Sequence, residues 1–198
     1  MVEESQEESQ AEKLKRYIGD PKEYIFSERL GLPNDLQDRR VLEIFSGREN
    51  ESFKRILEKK GASYTSLDLR ETIPEGKHVK ADAYRLPFKS DSFDHVVMNG
   101  PIFWGRSISK LDRSLGRTWR VRDSTIPRLK ECLRVISKKP GSSVRVSQGF
   151  SRVDSDYVKE SLGRQIRNFE EDYDLFFIPT DDMVKPGEFT YALAIIKK

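Results

Sequence analysis

The feature that most constrains this chain is a series of short apolar runs, each stopping at a polar residue and most separated from the next by a stretch of helical character. The first, "VLEIFSG" from Val41, is an apolar run closed by a glycine-containing turn, which reads as a strand buried on both faces. A helical stretch follows from about Asn50 to Lys60, with Phe53, Ile56 and Leu57 on one face and Gly61 placed to end it in a left-handed conformation. "SYTSLDL", "HVKADA", "FDHVVMNG" and "SSVRVSQ" supply four more strands. The segment "STIPRLKECLRVISKKPG" reads as a helix with a Ser or Thr cap and a Pro-Gly stop, and a further helix is expected at about Asp156 to Phe169. "YDLFFIP" and "FTYALAII" are joined through the turn "KPGE" with no helix between them. Alternating strands and helices predict an α/β fold, a mostly parallel sheet with helices on both faces. The last pair predicts an antiparallel C-terminal hairpin on its edge.

Length and charge narrow the classes. At 198 residues and 23.0 kDa the chain has room for one domain with a full core, read here as residues 11–198. Residues 11–39 form an N-terminal helical extension interrupted by Pro21, and the glutamate-rich residues 1–10 read as a disordered acidic tail. No stretch approaches the roughly 20 apolar residues that span a bilayer, and "MVEESQEESQ" is unlike a signal peptide, so a cytoplasmic protein without membrane contact is expected. The single cysteine, Cys132, excludes an internal disulfide and a multi-cysteine zinc site, and its place in an amphipathic helix suits packing. His78 and His95 have no companion ligands at suitable spacing, so no metal is expected. The net charge of +3 points to no partner class, but residues 104–134 hold nine Arg or Lys against three acids. Such a segment is either an electrostatic footprint for phosphate backbones or a solvated helix face.

In an open α/β sheet, ligands bind outside the carboxyl ends of the strands. Glu43 and the Ser46-Gly47 turn close the first strand, where glycine lets backbone approach a ligand. Asp68 closes the second, about 20 residues after the glycine turn, where an acid can take both ribose hydroxyls. Asp82 closes the third, where a carboxylate can accept from an exocyclic amine, and "NGPIFW" closes the fourth. Each has an ordinary explanation when taken alone: a strand-end charge, a plain turn, the start of a helix, a cap for the turn before Leu86. Their succession in the order a nucleoside site needs favours the ligand reading.

On these residues the sequence resembles a class I methyltransferase that uses S-adenosylmethionine, over roughly Arg40 to Lys198. "VLEIFSG" stands for the first motif, "SLDL" for the ribose-binding acid, and "ADAYRLPFKSDSFDHVV" for the third motif and the strand after it. The resemblance implies a Rossmann-like, seven-stranded sheet and a cofactor held by Glu43, Phe45, Ser46, Gly47, Asp68, Leu69, Asp82 and Ala83. Gly47 would lie beside the methionine part, Asp68 at the ribose, and Asp82 with Ala83 around the adenine. The family's GxGxG turn keeps its middle glycine, with Phe45 and Glu49 in the places of the other two. Of these, Glu49 conflicts more with a close-packed turn, and Arg48 offsets its charge. "NGPIFWGRS" is similar to the (D/N/S)-P-P-(Y/F) segment of enzymes that methylate exocyclic amines, and its G-R-S to tRNA guanosine N2-methyltransferases. The match would make Asn99 the amine acceptor, with Pro101 stiffening the loop and Phe103 or Trp104 stacking on the base.

Three functions follow. The first is S-adenosylmethionine-dependent N-methylation of an exocyclic amine of an RNA or DNA base, with catalytic Asn99, Pro101 and Phe103. Trp104, Arg106, Arg117 and Arg120 would bind that substrate, and a partner subunit would supply the separate RNA-binding domain that the tRNA enzymes carry. The second is methylation of a small molecule. The third is a methyltransferase-like binding subunit without catalysis. A nicotinamide enzyme fits less well, because its fingerprint requires the glycines.

Overall fold

β1 (Arg40–Ile44), β2 (Ser63–Asp68), β3 (His78–Lys80), β4 (His95–Met98), β5 (Ser143–Phe150), β6 (Tyr173–Pro179) and β7 (Tyr191–Lys197) form a single sheet in the order β3-β2-β1-β4-β5-β7-β6. The computed structural model describes residues 32–33, 35–45, 51–69, 77–98, 125–150, 152–179 and 191–198. The helices are α1 (Glu51–Lys59), α2 (Thr125–Val135), α3 (Arg152–Gln165) and α4 (Phe169–Asp172). β1 to β5 pair in parallel, and β7 runs antiparallel to both β5 and β6. Strand order reverses between β1 and β4, and in open sheets of this kind ligands bind at the carboxyl ends of the strands around such a point. The expected edge hairpin is present, with β6 as the edge strand and β7 reaching inside it.

β1 reads as an apolar run because both faces of the sheet are covered. Leu42 and Ile44 join Leu67, Val96, Met98, Val144 and Ile195 on the side packed by Ile126, Leu129 and Leu133 of α2 and Leu162 of α3. Val41 with Tyr64 and Val97 packs on Phe53 and Leu57 of α1, beside Leu32 and Leu36. α1 closes as expected at Gly61, whose φ is 79°. The Gly61 N–H donates to Glu58 O and the Ala62 N–H to Leu57 O, the paired bonds of a Schellman cap.

Two helix boundaries differ from expectation. α2 stops at Val135, five residues before Pro140, because Ile136 leaves it to form a parallel bridge with Phe93 and the Ser137 N–H donates to Phe93 O. Gly141, expected as the helix stop, instead shapes the turn into β5 with φ 84°. α3 starts at Arg152 and ends at Gln165; Asn168, left-handed at φ 57°, turns the chain so that Phe169 opens the separate α4.

Buried polar groups lie on the side of the sheet that α1 partly covers. His95 Nδ1 is 2.9 Å from Ser143 Oγ, and Arg145 Nε donates to the same hydroxyl at 3.0 Å. Burial, then the Arg145 cation, holds the His95 pKa down to about 3, against the pull of Asp94. A proton that binds His95 only in the unfolded chain sets the sign. Stability from this group is full above about pH 6.5 and falls as pH drops toward about 3, by up to ~1.4 kcal/mol per pH unit. His95→Gln should therefore flatten the dependence of the urea midpoint on pH between those limits; an unchanged slope would refute the assignment.

Candidate functional site

The carboxyl ends of β1, β2 and β3 lie side by side, so the strand-end residues of the sequence form a crescent. The Phe45 N–H, one residue past β1, donates to Leu67 O at 2.9 Å, and the Ala81 N–H, one residue past β3, donates to Asp68 O at 3.0 Å. Asp68 is the last residue of β2, and Leu69 follows with 59% of its surface exposed. No other large apolar side chain among the described residues is left so open. Asp82 closes a turn: Oδ1 accepts from the Tyr84 N–H at 2.9 Å and its carbonyl from the Arg85 N–H at 3.0 Å. Ala83 is buried in the core beside it.

Glu43 differs from the rest. It is fully buried within the sheet and accepts a hydrogen bond from the Tyr64 hydroxyl of β2, so it braces the strand ends from behind. The structure thus brings together Phe45, Asp68, Leu69, Asp82 and Ala83, with Glu43 beneath them. Ser46, Gly47, Asn99, Pro101, Phe103, Trp104, Arg106, Arg117 and Arg120 lie outside the described residues, as does Glu49.

Strain falls on Phe45. Its φ is 64°, a left-handed conformation that costs a non-glycine residue about 1–3 kcal/mol. The other described non-glycine residues with positive φ are Asp38, Asp91 and Asn168, types that tolerate it. The position where the resembled family carries its first glycine is therefore one that calls for glycine here too. The Phe45 ring packs on the core, and the guanidinium carbon of Arg128, from the first turns of α2, lies 5.5 Å from its centroid. The same carbon is 4.3 Å from the centroid of Tyr84. Two such contacts, at roughly 0.5–2 kcal/mol each, are of the same size as the strain.

α2 also grips the 82–88 segment with residues three apart. The Leu86 N–H donates to Glu131 Oε2 at 3.1 Å, and Arg134 donates to Leu86 O at 3.0 Å and Phe88 O at 2.9 Å. Arg134 also pairs with both oxygens of Glu131, at 3.0 and 2.8 Å. Arg128 and Arg134, counted in the sequence as part of a basic run, are thus committed to internal contacts. The helical phase of Arg128, Glu131 and Arg134 was the signal that one face of α2 carries all three. No group of three or more His, Cys, Asp or Glu among the described residues is placed to hold a metal, and no described helix is long and apolar enough to cross a membrane.

This sheet, with its reversed order and its single antiparallel strand next to the edge, is the fold of class I S-adenosylmethionine-dependent methyltransferases. Solved structures share it. The 1,6-didemethyltoxoflavin-N1-methyltransferase of Burkholderia thailandensis, bound to 1,6-didemethyltoxoflavin and S-adenosylhomocysteine, aligns over 82% of this chain and 72% of its own with TM-score 0.52 and 14% identity. A TehB-like methyltransferase of Corynebacterium glutamicum aligns over 82% of each chain with TM-score 0.51 and 17% identity. A methyltransferase of Aquifex aeolicus aligns over 96% of this chain and 100% of its own with TM-score 0.53 and 10% identity. No protein-family model and no curated protein matches the sequence.

The Arg134 guanidinium, helped by the Leu86 N–H, holds the Glu131 carboxyl below its ordinary value of 4.5, against the opposing effect of partial burial. A depressed folded pKa stabilises above the unfolded value and is lost as pH falls through the folded one. Because the pair is partly exposed, Glu131→Gln should cost about 0.5–1 kcal/mol at pH 7, and the deficit should shrink below about pH 4. Urea titrations of both proteins at the two pH values check this.

Proposed function

We propose that this protein is an S-adenosylmethionine-dependent methyltransferase whose cofactor is held by the crescent at the ends of β1, β2 and β3. The observation that carries the reading is the pair Asp68–Leu69, a carboxylate at the last residue of β2 followed by an exposed leucine, one strand from the point where strand order reverses. The pair fits a nucleoside: a carboxylate to accept from ribose hydroxyls, and an apolar surface for one face of the adenine. Asp82, with one oxygen engaged by Tyr84 and the residue exposed, keeps acceptor capacity for the exocyclic amine of the adenine, and Ala83 borders it. Ser46 and Gly47 would lie along the methionine part. S-adenosylmethionine supplies a methyl group already activated on a sulfonium, so the protein's task is to orient the acceptor in line and exclude water.

For the acceptor, the sequence "NGPIFWGRS" supports an exocyclic amine of an RNA or DNA base. Asn99 would accept from the amine, Pro101 would stiffen the loop, and Phe103 or Trp104 would stack on the base. Arg106, Arg117 and Arg120 would hold adjacent phosphates, and a partner subunit would supply further contact to the nucleic acid. A small-molecule acceptor is the second reading, favoured by the B. thailandensis neighbour, whose bound substrate is small.

Calorimetric titration with S-adenosylhomocysteine should give saturable binding, and Asp68→Ala should weaken it by about 10- to 100-fold, the loss of hydrogen bonds to a charged acceptor. No heat at millimolar ligand would leave a binding subunit without catalysis as the surviving account. Replacing Arg117 and Arg120 with alanine should lower the slope of log affinity for RNA or DNA against log salt by about 1.4–1.8. A wild-type protein without salt-dependent nucleic-acid binding would favour the small-molecule reading.

A further inference from the structure

Arg128 touches both ends of the proposed cofactor crescent. On one side its guanidinium sits by Phe45, the described residue whose left-handed backbone its own side chain does least to favour. On the other it sits over Tyr84, whose N–H closes the Asp82 turn. The Phe45 backbone is tied to β2 through Leu67 O, so Phe45 cannot relax without pulling on the strand that ends in Asp68. Further along the same face of α2, Glu131 and Arg134 fasten Leu86 and Phe88. The far end of the 82–88 segment is therefore fixed independently of Arg128. Arg128 bears on the near end, through Tyr84, whose N–H closes the Asp82 turn.

We propose that Arg128 is a positioning residue for the cofactor site: its guanidinium, in contact with the rings of Phe45 and Tyr84, holds the left-handed Phe45 at the end of β1 in register with the Asp82–Ala83 turn. A glycine at position 45 would adopt the left-handed backbone unaided; with phenylalanine there, the ring becomes a handle and the cation grips it. The planar guanidinium suits this role, since it stacks on aromatic faces while a lysine ammonium remains a strongly hydrated point charge. The ligand half of this inference rests on reading the crescent as an S-adenosylmethionine site; the clasp itself does not.

A double-mutant cycle of Arg128→Leu and Phe45→Gly tests both halves, with S-adenosylhomocysteine affinity by calorimetry and urea unfolding measured on all four proteins. Arg128→Leu should weaken S-adenosylhomocysteine binding about tenfold in the wild-type background and about threefold or less in the Phe45→Gly background, where the turn needs no clasp. Arg128→Lys should restore only part of the loss. The urea midpoint should fall more on Arg128→Leu with Phe45 present than in the Phe45→Gly background. Equal losses of affinity in both backgrounds, or an affinity unmoved by Arg128→Leu while stability falls, would overturn the positioning role and leave Arg128 an ordinary packing residue. If the wild type gives no binding heat, the cofactor reading and the ligand half fail together, and additive urea effects would separately overturn the clasp. Should Arg128→Leu not fold, Arg128→Lys takes its place in the cycle, because it keeps the charge and the stem and loses only the planar fork.

Discussion

A strand buried on both faces has to leave the sheet abruptly, and where β1 does so the backbone passes through a left-handed residue. Everything at the carboxyl edge is arranged around that exit. The Phe45 N–H is spent on β2, its ring on the core, and the cation from α2 on both the ring and the neighbouring turn. Asp68 and Leu69 have their place because β2 is registered to β1 residue by residue, Ile44 opposite Leu67. Asp82 has its place because the chain after β3 is bonded back to Asp68 and then clamped by α2. A buried acid, Glu43, lies under this exit, with the Tyr64 hydroxyl answering it from the next strand.

The division of labour between the two faces of the sheet follows from the same geometry. On the α2 and α3 side the packing is apolar, and Cys132 is sealed within it, its thiol pushed well above the ordinary range by burial. On the other side, polar groups are admitted and pair with one another: Ser66 with His78, His95 with Ser143, and Arg145 through its Nε with Ser143. Keeping His95 neutral is part of that arrangement, since a second cation beside Arg145 would have no water to solvate it.

Much of this was legible in the sequence where the signal was local. The strand runs, the glycine that caps α1 and the acids at the strand ends are short-range patterns, and the sheet places Asp68, Leu69, Asp82 and Ala83 along one edge. What was not legible depended on contacts between distant segments. Phe45 reads in sequence as the lesser conflict with a glycine turn, because a sequence does not show that this residue takes a positive φ. Arg128 and Arg134 read as members of a basic run, since Tyr84, Leu86 and Phe88, which they hold, lie in a distant part of the chain and Phe45 lies farther still. The end of α2 was misjudged for the same reason: Pro140 and Gly141 are obvious breakers, yet the bridge from Ile136 to Phe93 intervenes first.

The position of β7 has a consequence for how the molecule assembles. β6 precedes it in the chain but is joined to the sheet only through it, so the far edge cannot form in the order in which it is written. Within β1 to β5 the pairs β1–β2, β2–β3 and β4–β5 join consecutive strands, whereas β1 must find β4 across β2 and β3, and β6 must wait for a later segment to lie down between it and β5. The slow steps expected of such a topology are the two non-local closings, β4 on β1 and β7 on β5, whose loop entropy is met before their contacts are gained. Until the second closes, Val144 and Arg145 of β5 lack the strand opposite them. The strands that carry the strand-end acids, β1 to β3, pair in chain order and are able to form early, while β6 waits on β7.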